Sequence, residues 1–82
     1  MARKRAKRDT YLYTLRQGNR IVYIGTTKEP QQREQQHRSE DKKFNRMAIS
    51  FPCSEKIALE REQERIQAYQ RSHRGRKPRY NK

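Results

Sequence analysis

The sequence predicts a small single domain of the α/β (α+β) class, with three strands and two helices. Three observations carry that reading. The apolar residues fall in clusters at 11–25, 44–53 and 57–69, separated by polar stretches. The first cluster is two β-rich runs around Gln17-Gly18-Asn19, the signature of a hairpin. The last has apolar residues three and four apart, the spacing of one helix face. At 82 residues the chain makes one domain, and folding at this size buries only about 60% of the unfolded surface, so the core is thin.

Residues 1–9 open as MARKRAKR, a basic arm without periodicity that is expected to be disordered and solvated. Arg3, Lys4 and Arg5 are its candidate electrostatic contacts to DNA. The domain proper is expected to span 10–82.

Residues 10–17 and 20–25 read as the two strands of the hairpin. Alternation puts Tyr11, Tyr13 and Leu15 on one face of the first, with Leu12 and Thr14 on the other. In the second strand it puts Ile21, Tyr23 and Gly25 opposite Val22 and Ile24. Apolar groups on both faces imply a sheet covered on both sides.

A helix follows over PQQREQQHRSED, residues 30–41, with proline in its first turn and Thr27 or Glu29 as caps. It has no apolar stripe. Arg33 and His37, four apart, share one of its faces.

The third strand is read over 46–52, with Met47, Ile49 and Phe51 on one face and Pro52 as its stop. Ser54 caps a second helix spanning about 55–71. Its apolar face runs through 59, 62/63, 66 and 69/70, and Glu62 falls on it, whereas Glu60 and Glu64 point elsewhere. A carboxylate on an apolar face is costly unless a metal or a cation meets it, so Glu62 is either a metal ligand or the ion-pair partner of Arg61 or Arg65.

The net charge of +13 is the strongest bulk signal. It repels itself in a compact fold and attracts a polyanion, nucleic acid before acidic membrane. No apolar run reads as a transmembrane helix or signal-peptide core. Cys53, the single cysteine, excludes an internal disulfide and a cysteine-built zinc site, and reads as a small buried hydrophobe. A reducing compartment follows: cytoplasm in a prokaryote or phage, nucleus in a eukaryote.

Sheet tyrosines, an Arg–His helix face and one inward glutamate together make a phosphodiesterase kit. Breaking a phosphodiester needs an activated water, charge stabilisation on the phosphoryl oxygens and help for the leaving oxygen. A glutamate holding Mg²⁺ supplies a hard cation that keeps several waters, and an arginine clamps the phosphate. A tyrosine passes a proton when positive charge nearby favours its phenolate.

At these residues the chain resembles the GIY-YIG nucleases. The second half of the family's name motif is intact as Tyr23-Ile24-Gly25, and the first stands as Tyr11-Leu12-Tyr13. Arg33 follows Tyr23 by ten residues and His37 follows Arg33 by four, as in the family. ALEREQERI carries Glu62 where the family has its metal-binding glutamate, and Pro78 to Asn81 matches a closing Pro-x-x-Asn. The resemblance spans about residues 11–81, with Tyr11 in place of the leading glycine and Thr26 where some repair-type members have lysine.

The resemblance implies a small three-stranded antiparallel sheet flanked by helices. It implies an endonuclease dependent on Mg²⁺, with Mn²⁺ as a substitute, that nicks one DNA strand per active site. Tyr23 would be the general base and Tyr13 would orient water or phosphate. Arg33 would stabilise developing charge, and His37 would support Tyr23 or touch the phosphate. Glu62 would hold the metal, and Asn81 would brace the site. Gly25 would let DNA approach a bare backbone, with Lys28, Arg38, Lys42 and Lys43 as phosphate contacts. Weak sequence preference is expected, set by DNA structure, a partner protein or a homodimer. The alternative is a basic nucleic-acid-binding module that keeps the fold without catalysis.

Overall fold

The computed structural model describes residues 8–40 and 42–81, so Arg3, Lys4 and Arg5 of the basic arm lie outside the described residues. The chain forms β1 (Tyr11–Gln17), β2 (Arg20–Thr27), α1 (Pro30–Ser39), β3 (Arg46–Ile49) and α2 (Glu55–Ser72). It is a small α+β domain whose three strands form one antiparallel sheet of order β2-β1-β3.

β1 is the central strand, and the consecutive residues Leu12, Tyr13, Thr14 and Leu15 are all buried. Both faces are covered, as expected. One face packs Tyr13, Leu15, Val22 and Phe44, with Tyr23, Met47 and Tyr80 against them. The other packs Leu12, Ile24 and Ile66 under α2, with Ile21 beside them.

The hairpin closes with Gln17 opposite Arg20 and Gly18 at φ 62 in the loop, a left-handed conformation that glycine takes without steric cost. Strict alternation in β2 fails at one point. Leu15 faces Tyr23 while Arg16 faces Ile21, so Val22 is an extra residue, a bulge. Val22 therefore joins the Tyr13 face beside Tyr23, and Ile24 goes to the other face. The expected pairing of Val22 with Ile24 on one face is corrected by that inserted residue.

The third strand is shorter than 46–52 and ends at Ile49. Ser50 still ties to the central strand: its N–H donates to the Leu12 carbonyl at 2.9 Å, and its Oγ accepts the Leu12 N–H at 3.0 Å. Phe51 then turns out, 91% exposed, rather than lining a face with Met47. The chain rejoins the sheet edge at Cys53, which pairs with Thr10 and is half-buried instead of buried.

α1 ends at Ser39, before the expected Asp41, which is outside the described residues. Its N-cap residue Glu29 makes no side-chain cap, and the Thr27 hydroxyl accepts the Glu29 N–H at 3.0 Å. With no apolar stripe, the helix is anchored through His37, its buried residue. α2 is capped by Ser54, whose Oγ accepts the Ile57 N–H at 3.3 Å. Its inward line is Ala58, Glu62, Ile66 and Tyr69. Leu59, expected on that line, is 48% exposed, because the small Ala58 lets the helix sit closest at its own turn.

Among the described residues no helix is long and apolar enough to cross a membrane.

Candidate active site

The phenol-bearing face of the sheet and the inner side of α1 meet at one histidine. The Tyr13 hydroxyl lies 2.7 Å from His37 Nε2, and both groups are buried. The Tyr23 ring completes the cluster, its centroid 5.8 Å from that of Tyr13 and 4.9 Å from that of His37. Tyr23 faces the same side as Tyr13 because its partner across the ladder is Leu15, two residues along β1 on that face, and the bulge adds Val22 beside it.

Tyr13 stands opposite Gly25. A Cβ at Gly25 would lie 2.6 Å from the Tyr23 ring and 2.8 Å from the Tyr13 hydroxyl, inside any contact a real side chain makes. Glycine is required here because the two phenols lean over its backbone.

Lys42 Nζ sits 2.8 Å from His37 Nδ1 and 4.9 Å from the centroid of the Tyr23 ring. An ammonium has only donors, so Nδ1 must accept. The proton of the neutral imidazole then resides on Nε2, and that nitrogen donates to the Tyr13 oxygen. Tyr13 keeps its own hydroxyl proton to give elsewhere. The charge states agree with this order. Burial holds His37 below the ordinary imidazole range, and the Lys42 ammonium and Arg33 reinforce it against the pull of Glu40. Burial also pushes the Tyr13 phenol far up, as do the Tyr23 phenol and Glu62, while Arg33 opposes them.

Arg33 and Glu62 therefore both act on Tyr13 from outside the aromatic cluster. Arg33, half-buried on α1, directs Nη1 to Gln36 Oε1 at 3.1 Å. Glu62, half-buried on α2, has its carboxyl raised by burial, with the Thr26 hydroxyl pulling the other way. Neither Arg61 nor Arg65 forms an ion pair with it among the described residues. A half-buried anion without a cation fits a divalent ion. No group of three or more acidic, histidine or cysteine side chains gathers around it among the described residues. An ion there would draw most of its ligands from water and phosphate, as Mg²⁺ commonly does.

Asn81 reaches neither phenol. Its side chain closes the outer edge of β2, accepting the Ile24 N–H and donating to the Ile24 carbonyl, both at 2.8 Å. The Tyr80 N–H adds a bond to the Val22 carbonyl at 2.8 Å, and Pro78 is buried below. The closing segment thus holds straight the stretch of β2 that carries Tyr23 and Gly25.

The remaining basic candidates scatter. Lys28 is exposed between Asp9 at 3.9 Å and Glu55 at 3.8 Å. Arg38 pairs with Glu34 at 3.3 Å and lies over the Phe44 ring at 4.6 Å. Lys43 is exposed, its N–H bonded to the Tyr80 hydroxyl at 3.0 Å. Lys42, counted from sequence among phosphate contacts, is instead half-buried on His37 and Glu40. Its role was hidden because it follows the helix, where no periodicity indicates which way a side chain turns. Thr26 was likewise missed as a neighbour of Glu62.

Comparison with protein-family models finds no match, and comparisons with curated proteins and with solved structures find none at a significant level.

Proposed function

We propose that this protein is a Mg²⁺-dependent endonuclease that nicks DNA. The observation that carries the reading is the meeting of Tyr13, Tyr23 and His37 at one point, with Arg33 and Glu62 close enough to bear on the same phenol. The motif resemblance to GIY-YIG nucleases selects these same five residues by their order and spacing.

In this reading a scissile phosphate lies against the Tyr13 and Tyr23 hydroxyls, whose rings, not DNA, take the space over Gly25. Tyr23, its own hydroxyl proton given up to solvent, takes the proton of the attacking water. Tyr13, kept neutral by burial, donates its hydroxyl proton in a hydrogen bond to that water or to a phosphoryl oxygen. His37 holds the Tyr13 oxygen in place through Nε2–H. The Arg33 guanidinium meets the charge that grows on the phosphoryl oxygens. Glu62 would hold Mg²⁺, which would supply Lewis acidity at the phosphate. Asn81 keeps β2 in register. The net charge of +13 draws the polyanion in.

The test is incubation with supercoiled plasmid in Mg²⁺ or EDTA, alongside Glu62→Ala. Open circles that require Mg²⁺ and vanish in the variant support the nuclease. Gel retardation without cleavage, equal in both proteins, assigns a binding module and removes the catalytic roles.

A further inference from the structure

The sheet face away from the phenols carries a second feature that the nuclease reading does not use. Two adjoining cavities, about 420 Å³ and 630 Å³, share Arg20, Tyr69, Ser72 and His73 and so form one groove. Its floor is apolar, with Ile21, Ile24 and Ala68. Its wall is a flat ring pair: Tyr69 and His73 stack with centroids 3.7 Å apart and planes 3° from parallel. The pair is fixed in place, because His73 Nδ1 lies 2.8 Å from the Tyr69 carbonyl and 2.9 Å from Ser72 Oγ.

The rim is cationic. Arg20, Arg65, Arg74, Arg76, Lys77 and Arg79 line the two cavities, and no carboxylate does. None of these six pairs with an acid among the described residues. The backbone turns sharply to put the last four there. Arg74 adopts φ 57 and Gly75 φ 81, and the Arg76 N–H donates to the His73 carbonyl at 3.1 Å. A left-handed arginine costs free energy, and such strain gathers where a side chain must be placed.

We propose that this groove binds a single-stranded DNA segment, with one base on the apolar floor against the Tyr69–His73 stack and the flanking phosphates on the arginine rim. An aromatic plane beside a cationic track is the chemistry of single-strand binding. A duplex keeps its bases stacked inside and can offer this groove only phosphates. The segment lies on the opposite side of the sheet from Tyr13 and Tyr23, so the groove is a second contact and does not depend on cleavage.

The test is fluorescence anisotropy in EDTA with a short labelled oligothymidylate and a blunt duplex of equal length. Tyr69→Leu should weaken the oligothymidylate by about tenfold or more and the duplex by less than about twofold. Tyr69→Phe should bind as the wild type does. The exposed pair Arg20→Gln with Arg76→Gln should lower the salt dependence of binding without touching the core. Phe51→Ser, at an exposed ring that lines neither cavity, should leave oligothymidylate binding unchanged. Equal loss for both probes, no loss in Tyr69→Leu, or loss in Tyr69→Phe or Phe51→Ser overturns the groove. Plasmid nicking is a separate readout. A protein that binds through Tyr69 but leaves plasmid intact keeps the groove and loses the nuclease, and the reverse result does the opposite.

Discussion

The side-chain amide of Asn81 clasps the backbone of Ile24 at both its N–H and its C=O, each at 2.8 Å. It stands in for a missing neighbour strand at the sheet's outer edge. Asn81→Ala leaves both groups without that partner and should cost about 1–3 kcal/mol. Asn81→Asp keeps the acceptor and loses the donor, so it should fall between. Urea melts measure the loss, and hydrogen exchange at the Ile24 amide should quicken in step with it.

Gly25→Ala should destabilise the fold by about 1–3 kcal/mol, because its methyl group meets both phenols and neither can retreat freely. Nicking should fall further than stability does, since the methyl displaces the two tyrosines together. Comparing the urea midpoint with plasmid relaxation separates the two effects.

His37 gives stability a defined pH dependence. Its imidazole is held below the ordinary 6.5, so on acidification the unfolded chain takes up that proton first. Folded stability should therefore decline as pH drops through the region just below 6.5 and be flat with respect to this group above about 7. Lys42→Met removes a positive charge from Nδ1. The His37 pKa measured by NMR titration should rise, and the acid slope in melts should shrink. A His37 titration unchanged in Lys42→Met would contradict the donor order from Lys42 to Tyr13.

Glu62 acts in the opposite sense. Burial raises its carboxyl, so the folded state favours the protonated form and loses stability as pH rises through and above the ordinary value of 4.5. Without metal at neutral pH, Glu62→Gln should be slightly more stable than the wild type. Added Mg²⁺ should raise the melting temperature of the wild type and leave that of Glu62→Gln unchanged. Thermal melts with and without the ion check both signs.

Phe51→Ser should change stability by less than about 0.5 kcal/mol, since the ring is 91% exposed. Leu15→Ala, at a fully buried site on the central strand, should cost about 2–5 kcal/mol. Denaturant melts of the two variants compare an aromatic outside the core with an aliphatic inside it.

Four of the five elements were legible from apolar clustering and turn residues, which are local signals, whereas α1 has no apolar stripe and was read from the proline in its first turn. What escaped was set by tertiary contact. Nothing in the composition of β2 marks Val22 as an extra residue, so strict alternation assigned it to the wrong face. Phe51 has strand propensity, but the ladder ends at Ile49 and leaves it without a surface to cover. On α2, Leu59 is the larger apolar group, yet the smaller Ala58 is what permits close approach. The candidate residues Tyr13, Tyr23, Arg33, His37 and Glu62 could be named from spacing and residue type. Their relative geometry could not, since His37 meets Tyr13 across 24 positions of chain. The same applies to Lys42, whose ammonium is spent on His37 instead of facing solvent.

The bulge at Val22 makes the sheet a matter of odd and even. Upstream of it and downstream of it, β2 counts its faces in opposite phase, and the extra residue is the hinge between the two counts. Removing one residue there would leave almost every side chain of the hairpin unaltered in type. It would nonetheless take Val22 from the Tyr13 face, since the ladder would then run without a break from Tyr23 opposite Leu15 to Ile21 opposite Arg16. Length in this strand thus decides how many side chains fill the Tyr13 face, and a deletion scan along 20–24 would reveal it where a substitution scan would not.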